Sequence, residues 1–408
     1  MKDKLTTLIL LSTLFSISAA DWPQWRGPNR DGISAETGLL KKWPDGGPPL
    51  KWKAINLGGG YTAPAVAAGR IIGTGYRGEM EIVWALDEKT GKELWSTEIA
   101  SANREIDYGE GPRATPAIDG DRVYTLGAGG NLVCLDAKTG KISWKHDLPK
   151  DFGGKMMSDW GYSESPLVDG DSVLCTPGGS KGTVVALNKT NGKLIWQSSE
   201  LTDSAAYTSL VPCNLGGRKQ YVTLTGDSIA GIDAKTGKVL WQTDRRGKTA
   251  VVPTPVMSGN YIWVSSGYGV GSHLFEIQEN GGVFKAEEVY ASRKLKNDHG
   301  GAIRVGDHVY AASGPVFVCM ELKTGDVTWK ERSVGNCSLT YADGHLYLRG
   351  ERGPLALIQP NPEEYIEKSR FVQPHRSDKK SWAHPVIANG QLLLRDQDML
   401  LSFDVRAK

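Results

Sequence analysis

The chain lacks an excess of charge of either sign. Its 408 residues include 48 lysines and arginines against 46 aspartates and glutamates, which gives a formal net charge of +2. Nucleic acids and anionic membrane surfaces are bound by clusters of basic residues in excess over acidic ones. The balance therefore argues against a nucleic-acid partner and against a membrane-surface partner.

Long apolar runs are also missing, apart from one at the start of the chain. The run at 5–17 follows two lysines and precedes small residues at 18–20, which is the pattern of a secretory signal peptide cleaved before Asp21. An uncleaved anchor is the alternative, but the run is short for a membrane span. We expect residues 1–20 to be removed, no transmembrane segment to remain, and the protein to be periplasmic or secreted.

Paired cysteines are absent as well. The five cysteines are odd in number, none are adjacent, and no CxxC motif occurs; they are Cys134, Cys175, Cys213, Cys319 and Cys337. Exported proteins often carry disulfides, but several of these residues lie inside apolar, strand-like runs. The pattern predicts buried free thiols. No cysteine lies near the cleavage point, so a lipid anchor on a new N-terminal cysteine is not indicated.

The sequence does contain a repeat. A phrase of the form Leu-Asp-x-Lys-Thr-Gly-Lys, with a tryptophan four positions after the glycine, occurs five times, the last copy being weaker; the pairs are Gly91 with Trp95, Gly140 with Trp144, Gly192 with Trp196, Gly237 with Trp241, and Gly325 with Trp329. Asp opens a tight turn, Gly adopts a positive φ, and the tryptophan must bury a large ring. We expect a hairpin whose tryptophan lies between neighbouring sheets.

The spacing of the repeat sets the size of the unit. Successive glycines are 45 to 52 positions apart, except for one gap of 88 that spans two units. Units of about 40–50 residues with four strands are typical of propeller blades. A second marker, a short opening strand that often contains proline, occurs eight times, at 62–66, 115–118, 165–168, 209–212, 254–256, 301–303, 338–340 and 384–387.

These markers predict an all-β, eight-bladed β-propeller of four-stranded antiparallel blades over residues 50–408. The last unit ends after three strands, and the segment 50–56 precedes the first blade. We predict that this N-terminal strand completes the C-terminal blade, which removes the open sheet edges. The aromatic segment 21–49 is expected to pack on the propeller, with a partner-binding arm as the alternative. Helix is expected only at 362–368, as an insertion in the seventh blade.

The repeated phrase resembles that of pyrroloquinoline-quinone (PQQ) propellers. This family includes quinoprotein alcohol dehydrogenases and the outer-membrane assembly scaffold BamB, and the resemblance covers nearly the whole mature chain. The opening Asp-Trp-Pro-Gln-Trp-Arg-Gly-Pro at 21–28 and the ending Ala-His-Pro-Val-Ile at 383–387 also resemble exported PQQ-like propellers abundant in planctomycetes. These motifs specify a fold much better than an activity.

In the quinoprotein dehydrogenases, the resemblance implies PQQ and calcium near the propeller axis, an aspartate base and a ring of two adjacent cysteines. This chain has no adjacent cysteines and no CxxCH haem motif, and no catalytic residue or metal ligand carries over by motif. PQQ and calcium therefore remain possible cofactors, none is certain, and a PQQ-dependent oxidoreductase is the alternative function.

Any propeller has a pocket where the loops entering its innermost strands converge, and we call this end of the channel the mouth. The residues just before the predicted inner strands are the candidate ligand-binding residues: Tyr61, Arg113, Tyr162, Glu164, Tyr207, Asp298, His299, Asn336, Trp382 and His384. Together they combine aromatic faces with charges of both signs. Such a set suits a sugar, a peptide strand or a quinone.

Several candidates also have structural interpretations. Arg113 can form an ion pair with Glu110 or Glu164, Asp298 with His299 can cap a loop rather than bind a metal or transfer protons, and His384 can hold a turn. Tyr61 follows three glycines, which allow close backbone approach, and is the best contact candidate. We expect a non-enzymatic scaffold that binds a protein or polysaccharide; the sequence does not specify the oligomeric state.

Overall fold

Residues 21–407 form an all-β ring of eight sheets in a computed structural model. Two strands precede the first blade, β1 (Ile33–Ser34) and β2 (Leu50–Ala54). Blade 1 contains β3 (Ala65–Ala67), β4 (Arg70–Arg77), β5 (Met80–Asp87) and β6 (Glu93–Ser101), and blade 2 contains β7 (Ala117–Asp119), β8 (Arg122–Leu126), β9 (Asn131–Asp136) and β10 (Ile142–Asp147). Blade 3 contains β11 (Leu167–Asp169), β12 (Ser172–Cys175), β13 (Val185–Asn188) and β14 (Leu194–Gln197), and blade 4 contains β15 (Val211–Leu215), β16 (Arg218–Leu224), β17 (Ser228–Asp233) and β18 (Val239–Asp244).

The remaining four blades follow the same order of strands. Blade 5 contains β19 (Val256–Ser258), β20 (Tyr261–Ser266), β21 (Gly271–Asn280) and β22 (Val283–Ser292), and blade 6 contains β23 (Ala302–Val305), β24 (His308–Ser313), β25 (Val316–Glu321) and β26 (Val327–Glu331). Blade 7 contains β27 (Cys337–Ala342), β28 (His345–Gly350), β29 (Pro354–Gln359) and β30 (Ile366–Val372), and blade 8 contains β31 (Val386–Ala388), β32 (Gln391–Asp396) and β33 (Met399–Asp404). The short first strands of neighbouring blades contact one another around the centre of the ring. The predicted fold class and number of blades are confirmed.

The ring closes through the N-terminal strand. β2 pairs antiparallel with β33, with Trp52 opposite Ser402 and Ala54 opposite Leu400, and so supplies the fourth strand of blade 8. The predicted closure is confirmed. A small addition was not predicted: β1 pairs in parallel with β27, which gives blade 7 a fifth strand.

The repeated phrase forms the turn between the third and fourth strands of a blade. In blade 2, Asp136 Oδ1 accepts hydrogen bonds from the backbone N–H and the hydroxyl of Thr139, both at 2.7 Å, and Gly140 has φ +72°. The glycine is needed for a second reason. A Cβ on Gly140 would lie 2.5 Å from the ring of Trp95, which belongs to the preceding blade.

This contact between a tryptophan and the turn glycine of the next blade recurs around the ring. Trp144 lies against Gly192, Trp196 against Gly237, and Trp52 of the closing strand against Gly91. The indole N–H groups of Trp95 and Trp144 also donate to carbonyls of the next blade, those of Ala137 and Lys189, at 3.2 and 3.1 Å. The predicted position between neighbouring sheets is confirmed for Trp95, Trp144 and Trp196, whereas the indole N–H of Trp241 donates to Gln220 of its own blade. We call these outer contacts the rim.

Blade 5 departs from the pattern because it lost the phrase. Its last two strands, β21 and β22, have ten residues each and are joined by Gly281 and Gly282. Tyr290 takes the place of the rim tryptophan. A Cβ added to Gly325 of blade 6 would lie 2.8 Å from the Tyr290 ring. A different aromatic residue thus fills the same space.

The helix prediction is wrong. Residues 366–372 form β30, whose Ser369 is opposite Leu357 of β29. The pairing in the blade overrides the local helix preference of the segment. The helix of the described residues is α1 (Leu148–Phe152), where Asp147 accepts a hydrogen bond from the backbone N–H of Lys150 at 3.0 Å.

The cysteines are unpaired, as predicted. Cys134, Cys175, Cys319 and Cys337 are buried and Cys213 is partly buried. The predicted signal peptide, residues 1–20, lies outside the described residues. Within 21–407, no helix has the length and apolar character needed to cross a membrane.

Candidate functional site

A short N-terminal segment fills the centre of the ring. Residues 22–34, which we call the plug, form hydrogen bonds in or beside the first strands of seven blades. Every blade except blade 4 supplies a partner. In the order of the blades, the partners are Val66, Ile118, Ser165 with Pro166, Thr254, Ala302, Tyr341 and Ile387. The segment thus packs inside the propeller and joins blades that are far apart in the sequence.

Two arginines anchor the plug. The guanidinium of Arg30 donates to the carbonyls of Ser165 and Pro166 at 2.9 and 3.1 Å, and that of Arg26 donates to the carbonyl of Ala302. Both side chains are buried, and burial lowers the pKa of each to about 10. They stay charged at neutral pH, and the carbonyl acceptors offset part of the desolvation cost.

Above the plug, the mouth encloses a cavity of about 220 Å³. Eight of the ten predicted candidates line it: Tyr61, Arg113, Tyr207, Asp298, His299, Asn336, Trp382 and His384. Trp25 of the plug lines it as well, and its ring centroid lies 4.6 Å from that of His384. The cavity therefore ends at the plug instead of opening through the ring.

Two predicted candidates, Tyr162 and Glu164, do not line the cavity. Both are buried in the wall behind it. The hydroxyl of Tyr162 donates to the carbonyl of Pro177 at 3.0 Å, and the carboxyl of Glu164 accepts from the hydroxyl of Thr176 at 2.9 Å. Burial raises the pKa of Glu164 to about 7. These two side chains support the fold of the loop.

The sequence reasoning missed ten lining residues: Trp25, Tyr108, Trp160, Ser163, Ser209, Ala250, Val252, Tyr268, Glu351 and Lys380. Several of them lie away from the inner strands. Tyr108 and Trp160 lie earlier in the same entry loops, and Tyr268 and Glu351 lie between the second and third strands of their blades. An available signal was the concentration of aromatic residues in unusually long loops.

The aromatic side chains form a nearly continuous wall. Trp160 stacks on Tyr207 with a centroid separation of 5.5 Å and an interplanar angle of 30°. Tyr108 contacts Trp382 edge-on at 4.7 Å, and Trp382 also lies 4.8 Å from Tyr61. Such offset and edge-on pairs are favourable, so the rings hold one another while their free faces line the cavity.

Most charged groups at the mouth hold its loops in place. Arg113 forms no ion pair with Glu110 or Glu164; its guanidinium donates to the carbonyls of Trp160 and Tyr108. Glu110 accepts from the hydroxyl of Tyr61 at 2.9 Å and lies 3.1 Å from the ammonium group of Lys379. The ion-pair interpretation of Arg113 is therefore wrong.

A second set of charged side chains lies around Trp382. Glu351 accepts a hydrogen bond from the indole N–H of Trp382 at 3.1 Å and lies 3.6 Å from the ammonium of Lys380. Asp298 carries the remaining carboxylate of the lining, and it has no hydrogen-bond partner among residues 21–407. Burial, with a smaller contribution from nearby Glu351, raises the pKa of Asp298 above its ordinary value.

The two histidines of the mouth are neutral at physiological pH. Burial lowers the pKa of His299 to about 4 and that of His384 well below its usual range. Four residues of the lining carry a buried polar atom without a hydrogen-bond partner among residues 21–407: His299 Nε2, His384 Nδ1, Asn336 Oδ1 and Ser163 Oγ. Buried polar atoms normally have partners, so these four side chains have hydrogen-bonding capacity left over.

The lining does not fit calcium with PQQ. Calcium takes six to eight oxygen ligands, several of them carboxylates. Asp298 and Glu351 are the two carboxylates of the lining, and Glu351 is engaged by Trp382 and Lys380. Across residues 21–407, no three His, Cys, Asp or Glu side chains converge as a metal site would require. The carboxylates of the lining therefore give the quinoprotein alternative no support.

Comparisons with known proteins agree with the architecture. The family model described as "Outer membrane protein assembly factor BamB" matches residues 79–331. The BamB of Salmonella typhimurium is 31% identical over 144 residues, covering 35% of this chain and 32% of that protein. The chain thus matches about a third of that relative's length.

Solved structures show the same fold at low sequence identity. BamB of Moraxella catarrhalis aligns with a TM-score of 0.61 and 16% identity, covering 88% of this chain and 98% of that one. The quinohemoprotein alcohol dehydrogenase of Comamonas testosteroni aligns with a TM-score of 0.55 and 12% identity, covering 95% and 81%. At such identities the likeness establishes the fold alone.

Proposed function

Because the chain belongs to the outer membrane protein assembly factor BamB family of PQQ-like propellers, we propose that it is an exported binding scaffold rather than an enzyme. Its mouth holds a group of a protein or polysaccharide partner, and residues 1–20 direct it to the periplasm or the cell exterior. Family membership and the signal-like start of the sequence support this proposal.

One observation carries the proposal: the aromatic mouth ends on the plug. A concave pocket with aromatic walls and a few placed polar groups is typical of a ligand-binding site. Arg113, Glu110 and Glu351 hold the walls through hydrogen bonds. The free faces of Trp160 and Tyr108 then remain in position for a ligand, at little cost in ordering.

A binding test should use the mature chain, a peptide library and a panel of neutral oligosaccharides, followed by tryptophan fluorescence and thermal shift. We expect one class to bind, and Trp160→Ala to weaken that binding at least tenfold. Leu194→Ala is the control, because Leu194 is 53% exposed on the fourth strand of blade 3, far from the mouth. If neither class binds, or both variants behave alike, the scaffold function is wrong.

The dehydrogenase alternative is tested directly. Purified protein is incubated with PQQ and calcium chloride, and then assayed for bound chromophore and for dye reduction with alcohols and sugars. We expect neither signal, because calcium usually takes several carboxylates, and of the two in the lining Glu351 is already engaged by Trp382 and Lys380. Calcium-dependent dye reduction would overturn the binding proposal in favour of an oxidoreductase.

Export has its own readout. Expression in a bacterium with a periplasm, followed by fractionation and N-terminal sequencing, is expected to give a periplasmic chain that begins at Asp21. A cytoplasmic chain that retains residues 1–20 would contradict the proposed location without affecting the proposed binding.

A further inference from the structure

We infer that the mouth binds the terminal unit of an uncharged saccharide chain, an inference that rests on the proposed binding function and names its ligand class. Three features of the cavity lead to it: the aromatic walls, the balanced charges with unpaired polar atoms, and the closed end. Each feature alone fits several ligands. Together they select one.

The aromatic walls offer faces to an apolar surface. Tyr108 and Tyr268 are 42% and 48% exposed, and Trp160 lies between them, with centroids 5.8 and 6.4 Å from theirs. A contiguous cluster of exposed rings marks a binding surface, whereas single exposed apolar side chains such as Val372 do not. The C–H faces of a pyranose ring are apolar and flat enough to stack on such rings, whereas its edges carry hydroxyl groups.

The charges of the lining cancel. Arg113 and Lys380 are positive, and Asp298 and Glu351 are negative. With two charges of each sign, the lining as a whole favours neither a cationic nor an anionic ligand. An uncharged ligand needs no such preference. The ligand therefore has apolar faces and no net charge.

The lining also offers hydrogen-bonding groups without partners. His384 is 4% exposed, and its Nδ1 is one of four buried polar atoms of lining residues that have no hydrogen-bond partner within residues 21–407, together with Asn336 Oδ1, His299 Nε2 and Ser163 Oγ. A proline-rich peptide would stack on the rings, but it has few N–H donors and would leave the acceptor Asn336 Oδ1 without a partner, at about 1–3 kcal/mol. Sugar hydroxyls both donate and accept, so they suit this mixed set.

The closed end selects a chain terminus. The plug crosses the channel and places Trp25 in the lining, so a polymer has no way through. The cavity of about 220 Å³ is also smaller than the roughly 300–1,000 Å³ of pockets for drug-sized ligands. One sugar unit at the end of a chain enters, and the units behind it project into solvent.

The test measures how affinity depends on chain length. A glycan array of neutral oligosaccharides first identifies the best binder, and calorimetry then compares its di-, tetra- and hexasaccharides. We expect affinities within about threefold of one another, because the units beyond the terminal one contact little protein. A cyclic oligosaccharide of the same linkage, where one exists, is expected not to bind, since it has no end.

Two variants connect the binding to the mouth. Trp160→Ala removes a stacking face and Asn336→Ala an unpaired acceptor, and each is expected to weaken binding at least tenfold. Val372→Ala is the matched control, because Val372 is 68% exposed on the outer strand of blade 7. Circular dichroism melts show whether each variant is folded.

Each outcome is decisive. Affinity that rises steadily with chain length, or binding of a cyclic oligosaccharide, overturns terminal recognition. No binding of any neutral glycan at millimolar concentration overturns the saccharide inference. If peptides bind in that case and Trp160→Ala abolishes their binding, the scaffold function stands without the saccharide; if nothing binds to the folded protein, both proposals fail.

Discussion

Tryptophan occurs in two settings in this propeller, the rim and the mouth. At the rim, Trp95, Trp144 and Trp196 each lie against a turn glycine of the next blade, so the chain itself covers their faces. In the mouth, Trp160 and Trp382 contact other aromatic rings but keep faces toward the cavity. Tryptophan side chains therefore contribute to folding at the rim and are available to a ligand in the mouth.

The same substitution in the two regions is expected to have very different effects on stability. Trp196→Ala at the rim is expected to lower the free energy of unfolding by about 3–5 kcal/mol, because the large cavity cannot be refilled. Trp160→Ala in the mouth is expected to cost about 1 kcal/mol or less. Guanidinium chloride denaturation measures both, and equal losses would remove the distinction.

The carboxyl of Glu81, buried on the third strand of blade 1, makes the stability of the protein depend on pH. Burial raises the pKa of Glu81 to about 7, from an ordinary value of 4.5, although its carboxyl accepts from the backbone N–H of Ala128 at 3.2 Å. The folded state therefore holds a proton that the unfolded state releases first. Stability is expected to fall as pH rises from about 4.5 to about 7, by up to about 3 kcal/mol for this group.

Glu81→Gln is the variant that tests this assignment. It is expected to flatten the slope of unfolding free energy against pH between 4.5 and 7, leaving the part that comes from Glu164, whose pKa is also about 7. Urea denaturation at a series of pH values gives the slope. An unchanged slope in the variant would show that Glu81 is ionised in the folded protein.

A smaller effect isolates the rim contact itself. Gly237→Ala introduces a Cβ at φ +73° and 2.5 Å from the ring of Trp196, and is expected to cost about 2–3 kcal/mol. Gly259→Ala has a similar backbone, φ +62°, but no neighbour within 4 Å, and is expected to cost about 1–2 kcal/mol. Thermal denaturation compares the two variants. Equal losses of stability would mean that the Trp196 ring moves aside without cost.

The smallest effect is expected in the mouth. The double variant Tyr108→Ala with Tyr268→Ala removes two half-exposed rings and is expected to change the free energy of unfolding by less than about 1 kcal/mol. Chemical denaturation without ligand measures this change. A loss as large as that at the rim would mean that the mouth is part of the folding core and not a surface kept for a partner.

The rim was predictable because it is periodic. Asp136, Gly140 and Trp144 recur at fixed offsets in other blades, and each offset has a local physical cause in the turn and its packing. The mouth was predictable only in part, because each entry loop is different: Tyr61 and Trp382 adjoin inner strands, whereas Tyr108 and Tyr268 do not. Their convergence depends on the closed ring and on loop conformations without a sequence signature.

The plug was the least predictable element in detail. Its aromatic composition favoured packing, but nothing in the sequence of Arg26 or Arg30 indicates which carbonyls they contact. Those carbonyls belong to blades more than a hundred residues away. Local preference also failed at 362–368, where pairing between strands decided the structure. Long-range contacts without a repeat are what single-sequence reasoning cannot supply.

The closing pair of strands has a consequence for how the protein is made. β2 leaves the ribosome early, but its partner β33 is among the last segments to be synthesised, and about 350 residues separate Trp52 from Ser402. Bringing such distant segments together is slow. During synthesis the seven blades that follow β2 are complete before β33 exists, so β2 stays without its strand partner until the last residues arrive.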